Sequence, residues 1–315
     1  MDLVNTDVEI RERSLPQRID MTLRFIATRA PGVFLYSALG VVPAMIGNAL
    51  LLWALDPFAA WNNLSWLWNW ALITYLIWVE SPLVMAPLVV FLGTSLFRQP
   101  ISLRFAVREI WRNTGRQLFV HGVVRTHLLW SGLALLSYAT LTEGLLAFSL
   151  TLGAMFVMVF WCFRPYVDQI IYLERLPLVF KSEHPMTVGK RSSMLHGSDS
   201  GGVMLESITN FLLAFVVFFA TYGLLLWGYY WLTFNTVTQG WFGSTLFALA
   251  LWFTMIVGTV LRFFSYLDSR IRSEGWELEL RLRREADLQA RAGVGQSKLA
   301  VAQVPTAATA GGGQR

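Results

Sequence analysis

Four arginines, Arg104, Arg108, Arg112 and Arg116, recur every four residues in this 315-residue chain. On a helix that spacing sets them along one face. Leu103, Val107, Ile110 and Trp111 give a neighbouring apolar face. A helix of this kind lies in a membrane interface with its cations near anionic lipid headgroups. Nucleic acid is not expected as a partner, because lipid phosphate is the nearer polyanion.

A second set of residues sits at Glu80, Ser81 and Pro82, the one place where a carboxylate falls within an apolar run or near its outer end. Ionisable groups at membrane depth are expensive and face a bundle interior or a polar cavity. Pro82 frees a carbonyl on the preceding turn. The three residues therefore mark a candidate broken helix at a substrate or proton site, or a carboxylate that reaches the outer headgroups.

A third is an internal echo. Tyr166-Val-Asp168-Gln-Ile-Ile171-Tyr-Leu-Glu174 and Tyr266-Leu-Asp268-Ser-Arg-Ile271-Arg-Ser-Glu274 share the pattern Y-x-D-x-x-I-x-x-E. Each follows an apolar run. The repeat reads as a membrane-exit device, with tyrosine at the headgroups and carboxylates that pair with arginines or cap backbone groups. The loop between Leu176 and Gly202 carries Glu183, His184, Lys190, Arg191, Ser192, Ser193, His196 and Asp199. Their spacing fits no metal-ligand motif, and no metal or other cofactor is expected. There is no phosphate-binding loop, nucleophile elbow or dinucleotide fingerprint.

The elements that must position these groups are membrane helices. Hydrophobic residues make up 55% and charged residues 14%, against roughly 25% charged in a soluble domain. Mean hydropathy is +0.50. A span needs roughly 20 apolar residues, and six runs meet that need: Gly32 to Leu55, within Leu67 to Phe97, within Leu118 to Leu141, Leu145 to Phe163, about Ser207 to Leu232, and Gly243 to Phe264. Backbone groups in lipid must bond internally, so these are helices. In the second run Trp66, Trp68 and Trp70 anchor the outer side and the core crosses from about Tyr75. Gly40, Ala44, Gly47 and Asn48 give the first run a small, polar packing side. The sole cysteine, Cys162, reads as a small buried hydrophobe.

The 25 lysines and arginines set the orientation. They precede the first run, follow the second, fourth and sixth, and place Arg125 at the start of the third. The connections at 56–66, 142–144 and 233–242 contain none. This is the positive-inside pattern, and it predicts an all-α, polytopic transmembrane bundle of about six spans with both termini inside. The expected organisation is a basic arm at 1–30 with an interfacial helix from Ile19 to Ala30, a membrane domain at 31–265 with inner amphipathic segments at 99–117 and 164–206, a cytoplasmic amphipathic helix at 266–292, and a disordered tail at 293–315. No cleavable secretory signal is expected, and the first run reads as an uncleaved anchor.

The run from Tyr266 through Asp268, Arg270, Arg272, Glu274, Gly275, Trp276, Glu277 and Leu278 resembles the helix ends of bacterial multi-span proteins. These include the membrane domain associated with glycerophosphoryl diester phosphodiesterases and related families of unknown function. Leu173-Glu-Arg-Leu-Pro177 and Lys190 to Leu195 resemble their inner loop. The resemblance implies a bacterial cytoplasmic membrane protein and carries no catalytic residue across. The expected function is a non-enzymatic scaffold or accessory subunit that docks partners at the cytoplasmic face. The alternatives are a transporter or lipid-handling protein with a polar site near Glu80, and an enzyme that acts on lipid headgroups through His184, His196 or Asp199. Expected partners are anionic lipid headgroups, with a membrane protein or a second copy of the chain as further candidates.

Overall fold

The computed structural model of the chain describes residues 13–59, 66–96, 102–140, 143–178, 186–197, 200–234 and 241–274. Among these residues the regular elements are all helical. In chain order they are α1 (Leu15–Thr28), α2 (Ala30–Ala59), α3 (Trp66–Val84), α4 (Ala86–Leu96), α5 (Leu103–Leu118), α6 (His127–Thr140), α7 (Glu143–Phe163), α8 (Val167–Gln169), α9 (Val188–Gly197), α10 (Ser200–Thr233) and α11 (Trp241–Glu274). Two π-helical turns, whose N–H groups reach back five residues, extend α5 as Phe119–Val124 and α8 as Ile170–Glu174.

Local chemistry explains the breaks. Ser14 N–H donates to Gln17 Oε1, and a proline stands in the first turn of α1, both start signals. Pro87 has no N–H for the preceding turn, and α3 meets α4 at an angle of 41°. Ser102 Oγ accepts from Phe105 N–H at 3.2 Å and caps α5. Thr126, Arg175 and Phe234 take positive φ of 58°, 57° and 53° at the ends of the segments before them.

Among the described residues three helices are long and apolar enough to cross a membrane: Ala30–Ala54, Gly201–Thr233 and Phe242–Ser273. Two bent pairs, Trp68–Val84 with Ala86–Leu96 and Leu103–Val124 with His127–Tyr138, raise the number to five if each pair is one span. A shorter apolar helix, Gly144–Val159, lies in α7. The helical, membrane-compatible class therefore stands, with three to five candidate spans among the described residues where six were expected. The third expected run begins differently: α5 continues past Leu118 through the π turn, and the chain bends by 66° before α6. Likewise α11 runs unbroken past residue 265, where the sequence suggested a boundary. The segment from 275 on, including the expected tail, lies outside the described residues.

Burial distinguishes the long helices. In α11 61% of the apolar window is buried, while none of the α10 window is. The central helix is thus α11, and Trp252, Val260, Phe263 and Phe264 pack with Leu88 and Leu92 of α4 and Val33 and Tyr36 of α2. The outer helix α10 exposes Leu212, Val216, Phe219 and Leu224. An unbroken apolar surface of this sort suits lipid and not water. Helix α1, at the expected basic arm, packs on α11 and buries Arg18 and Thr22.

The small residues of α2 divide into two kinds. A Cβ at Gly40 would fall on the Val84 carbonyl oxygen, next to the α3–α4 bend, whereas one at Gly47 would meet nothing. Only Gly40 permits close approach of backbones. Gly40→Ala should therefore destabilise the purified protein by about 1–3 kcal/mol, the usual range for overpacking, and Gly47→Ala should not. Thermal unfolding in one detergent checks both; equal midpoints for the two variants would contradict the packing described.

Candidate functional site

Polar residues recur every four positions on α5 and its π extension: Glu109, Asn113, Gln117, His121 and Arg125. All five are buried, none more than 6% exposed. The arginine stripe occupies another face of the same helix. Arg104 and Arg108 are exposed, while Arg112 Nη2 donates to Glu109 Oε1 at 2.7 Å and Arg116 Nη1 reaches Asn113 Oδ1 and the Arg175 carbonyl, each at 3.4 Å. Arg104, Arg108 and Arg112 are therefore all exposed, Arg112 while paired with Glu109, and Arg116 is half-buried. Their apolar neighbours Leu103, Val107 and Trp111 are exposed as well.

The buried stripe converges on Asp168. Its Oδ1 accepts from Gln117 Nε2 and from His121 Nε2, each at 2.7 Å. Gln117 Nε2 also lies 3.4 Å from the Pro82 carbonyl. Arg125 Nη1 stands 3.3 Å from His121 Nδ1, and Arg125 Nη2 donates to the Arg164 carbonyl at 3.0 Å. Arginine only donates, so Nδ1 must accept, and the histidine proton sits on Nε2 facing Asp168. Both ring nitrogens are engaged, which leaves none to act as a general base on a substrate. Burial alone would raise the Asp168 carboxyl. The hydrogen bond from His121, with the charges of Arg125 and Arg262, outweighs it and holds the group below the usual carboxylate range.

The two echo segments pack against one another, with the Tyr166 and Tyr266 ring centroids 6.0 Å apart. Both rings are buried rather than set at a membrane surface. Asp268 accepts from the Arg13 backbone N–H at 2.8 Å, pairs with Arg272 Nη2 at 3.1 Å and lies 3.9 Å from Arg18. Arg18 in turn pairs with Glu206 at 2.7 Å. Glu174 takes Arg191 Nε at 2.7 Å, the Tyr266 hydroxyl, and Arg270 at 3.8 Å. Glu109 adds Arg175 at 3.0 Å. Thus each of Asp268, Glu174 and Glu109 faces more than one arginine, and together these sets of pairs around buried or nearly buried carboxylates tie α1, α5, α9, α10, α11 and the Tyr166–Arg175 segment to one another.

Other expected residues fall elsewhere. Glu80 Oε2 accepts from Asn48 Nδ2 of α2 at 3.0 Å, and Ser81 Oγ donates to the Trp78 carbonyl. Pro82 meets the network through Gln117. Of the inner-loop set, Glu183, His184 and Asp199 lie outside the described residues, as do Gly275 and Trp276 of the exit motif. His196 lies in α9 and Glu274 closes α11. Among the described residues no group of three or more His, Cys, Asp or Glu side chains is placed to hold a metal. The sequence pattern alone assigns His121, Gln117 and Glu109 no role. Their signal is the four-residue recurrence, one register away from that of the arginines.

Removing one partner of a buried ion pair leaves a charge uncompensated, at a cost of about 3–5 kcal/mol. Asp168→Ala should lose that much, whereas Arg104→Ala should change stability by under about 0.5 kcal/mol; protease resistance in native membranes compares them. The pH dependence has a definite sign. Asp168 has a lowered folded value, so its contribution is fully present above the ordinary carboxylate value of roughly 3.9 and is lost only as pH falls through the lower one. Wild type should lose stability in acid faster than Asp168→Asn does. Comparison with family models, with curated proteins and with solved structures found no match to this chain.

Proposed function

We propose that the chain is a six-span bacterial inner-membrane protein with both termini in the cytoplasm, and that it works without catalysis as a scaffold or accessory subunit. Its cytoplasmic face docks anionic headgroups and a membrane partner through α5. One observation carries this reading: a single helix is locked into the protein by a buried polar stripe while it presents Arg104, Arg108, Val107 and an 83% exposed Trp111 outward. A rigid mount with an exposed basic and aromatic edge is what docking at an anionic interface requires. The lysine and arginine distribution supports the orientation. The sequence resemblance at Tyr266–Glu279 supports the bacterial membrane assignment. With α5 at the interface, the π turn with α6 would supply the third span and the apolar helix α7 the fourth.

Affinity purification of the tagged chain from native membranes, with proteomics and lipid analysis, tests the role. A stoichiometric protein partner is expected to co-purify with anionic phospholipid. Each cation near an anionic surface contributes about 1 kcal/mol, so Arg104→Glu with Arg108→Glu should lower retained anionic lipid or partner by at least tenfold. Retention unchanged by the double variant would remove α5 from the docking face. For topology, a cysteine in place of Glu143, in a Cys162→Ser background, should react with an impermeant thiol reagent from outside intact spheroplasts.

A second reading has its own observation, the Asn48–Glu80 bond across α2 and α3 beside the helix bend. A transporter built on it would lose flux in Glu80→Gln while it still inserts. Flux equal to wild type in that variant would dismiss the reading.

A further inference from the structure

A cavity of about 450 Å³ lies between α3, α7, α10 and α11, within the 300–1,000 Å³ range of ligand sites. We propose that it holds one membrane phospholipid whose headgroup joins a phosphate to an N–H or O–H donor. Three observations carry the assignment.

The first is shape. The lining runs from Glu206 to Phe219 on α10 and from Phe247 to Arg262 on α11. At 1.5 Å per residue each wall is about 20 Å long. One leaflet of hydrocarbon is about half of roughly 30 Å. The cavity therefore matches an acyl chain together with its link to a headgroup.

The second is the graded chemistry of the walls. Phe211, Phe215, Phe218 and Phe219 of α10 and Phe247 of α11 line the apolar part. Several of these rings touch: Phe218 lies 5.3 Å from Phe247 and 5.2 Å from Phe219. The polar groups gather at the other end, where Glu206, Asn210, Tyr166 and Arg262 line the cavity. Glu206 is fixed there by its 2.7 Å pair with Arg18. Arg262 is braced along its own helix, with Nε 3.3 Å from the Gly258 carbonyl.

The third is an unmet hydrogen bond. Asn210 Oδ1 is buried with no hydrogen-bond partner, and a buried acceptor left without a donor is costly. Asn210 lines the cavity, but Oδ1 itself is covered, so the amide must turn to present it to a donor in an occupant's headgroup. Arg262 supplies the positive charge that a phosphate seeks. Ethanolamine-type and glycerol-type phospholipids carry both features. Choline-type lipids carry the phosphate and no donor. Water alone would satisfy Asn210 and leave the long apolar wall unfilled.

The site can be narrowed from Gly258, where a side chain has room to start. Gly258 lines the cavity, and a Cβ added there meets no atom within 4 Å. Gly258→Leu therefore fills space that the lipid chain would take, and Ala214→Leu fills it from the opposite wall. The full chain would be reconstituted in phosphatidylcholine nanodiscs with trace phosphatidylethanolamine, phosphatidylglycerol or phosphatidylcholine that carries a photoactivatable acyl chain. After irradiation, peptide mass spectrometry would map the adducts.

Donor-bearing probes should label Phe211, Phe215 and Phe247 at least fivefold more than the choline probe. Either cavity-filling variant should reduce that labelling at least fivefold. Asn210→Leu should abolish the preference between headgroups. Labelling of the exposed Leu224 reports insertion and should stay constant in every variant. Adducts spread evenly over Leu212, Val216 and Leu224, or cavity adducts indifferent to Gly258→Leu and Ala214→Leu, would overturn the proposal. A cavity closed to every probe, with zero-length crosslinks from its lining to another segment of the chain or to a second copy, would overturn it too. The outcome does not depend on the docking role of α5, whose variants leave this cavity intact.

Discussion

The carboxylate of Asp168 lies out of water at the meeting point of three chain segments, and an isolated charge in such a place would be too costly to keep. It persists because Gln117 and His121 donate to it directly and Arg125 and Arg262 supply opposite charge. That requirement fixes much else. Gln117, His121 and Arg125 must share one face, so α5 must continue as a helix past Leu118. The π turn at Phe119–Val124 keeps His121 and Arg125 within reach of the same carboxylate and the Arg164 carbonyl. The chain then bends sharply at Thr126 to begin α6.

Comparable constraints recur at Asp268, Glu174 and Glu109. Each is buried or nearly so and faces an arginine on another element: Arg175 for Glu109, Arg191 for Glu174 and Arg18 for Asp268. Buried ion pairs add less net stability than their short distances suggest, because desolvation offsets attraction. Their effect is better described as specificity. A bundle of apolar helices in lipid has little preference for one packing over another, since lipid tails and leucine side chains are equally apolar. Charges that tolerate only one arrangement remove that freedom. The network thus sets which helices meet, while Trp252, Phe263 and Leu88 fill the space between them.

The network also bears on function by what it occupies. With both nitrogens of His121 engaged, the one buried His–Asp pair among the described residues is a structural tie, not a general base with a free nitrogen. The chemistry that remains outward is the basic and aromatic edge of α5 and the cavity beside α10. Both are suited to lipid, and they touch the network from opposite sides: Arg112 shares Glu109 with it, and Arg262 and Glu206 border the cavity.

Composition and the spacing of apolar runs determined that this chain is helical, with runs long and apolar enough to cross a membrane, because backbone polar groups in hydrocarbon leave few alternatives. The positions of most helices, the bend near Pro82 and Pro87, and the close approach at Gly40 could also be read from residue types, whereas Gly47 of the same pattern meets nothing. Pairing could not. Nothing local says that Asp168 will accept from His121, 47 residues earlier in the chain, or that Arg18 will meet Glu206. The arginine and polar stripes share a period of four. Only the helix's neighbours decided that Glu109, Asn113 and Gln117 turn inward while Arg104 and Arg108 face out. Spacing defines a face, but which face is buried depends on charges that the fold brings up from elsewhere.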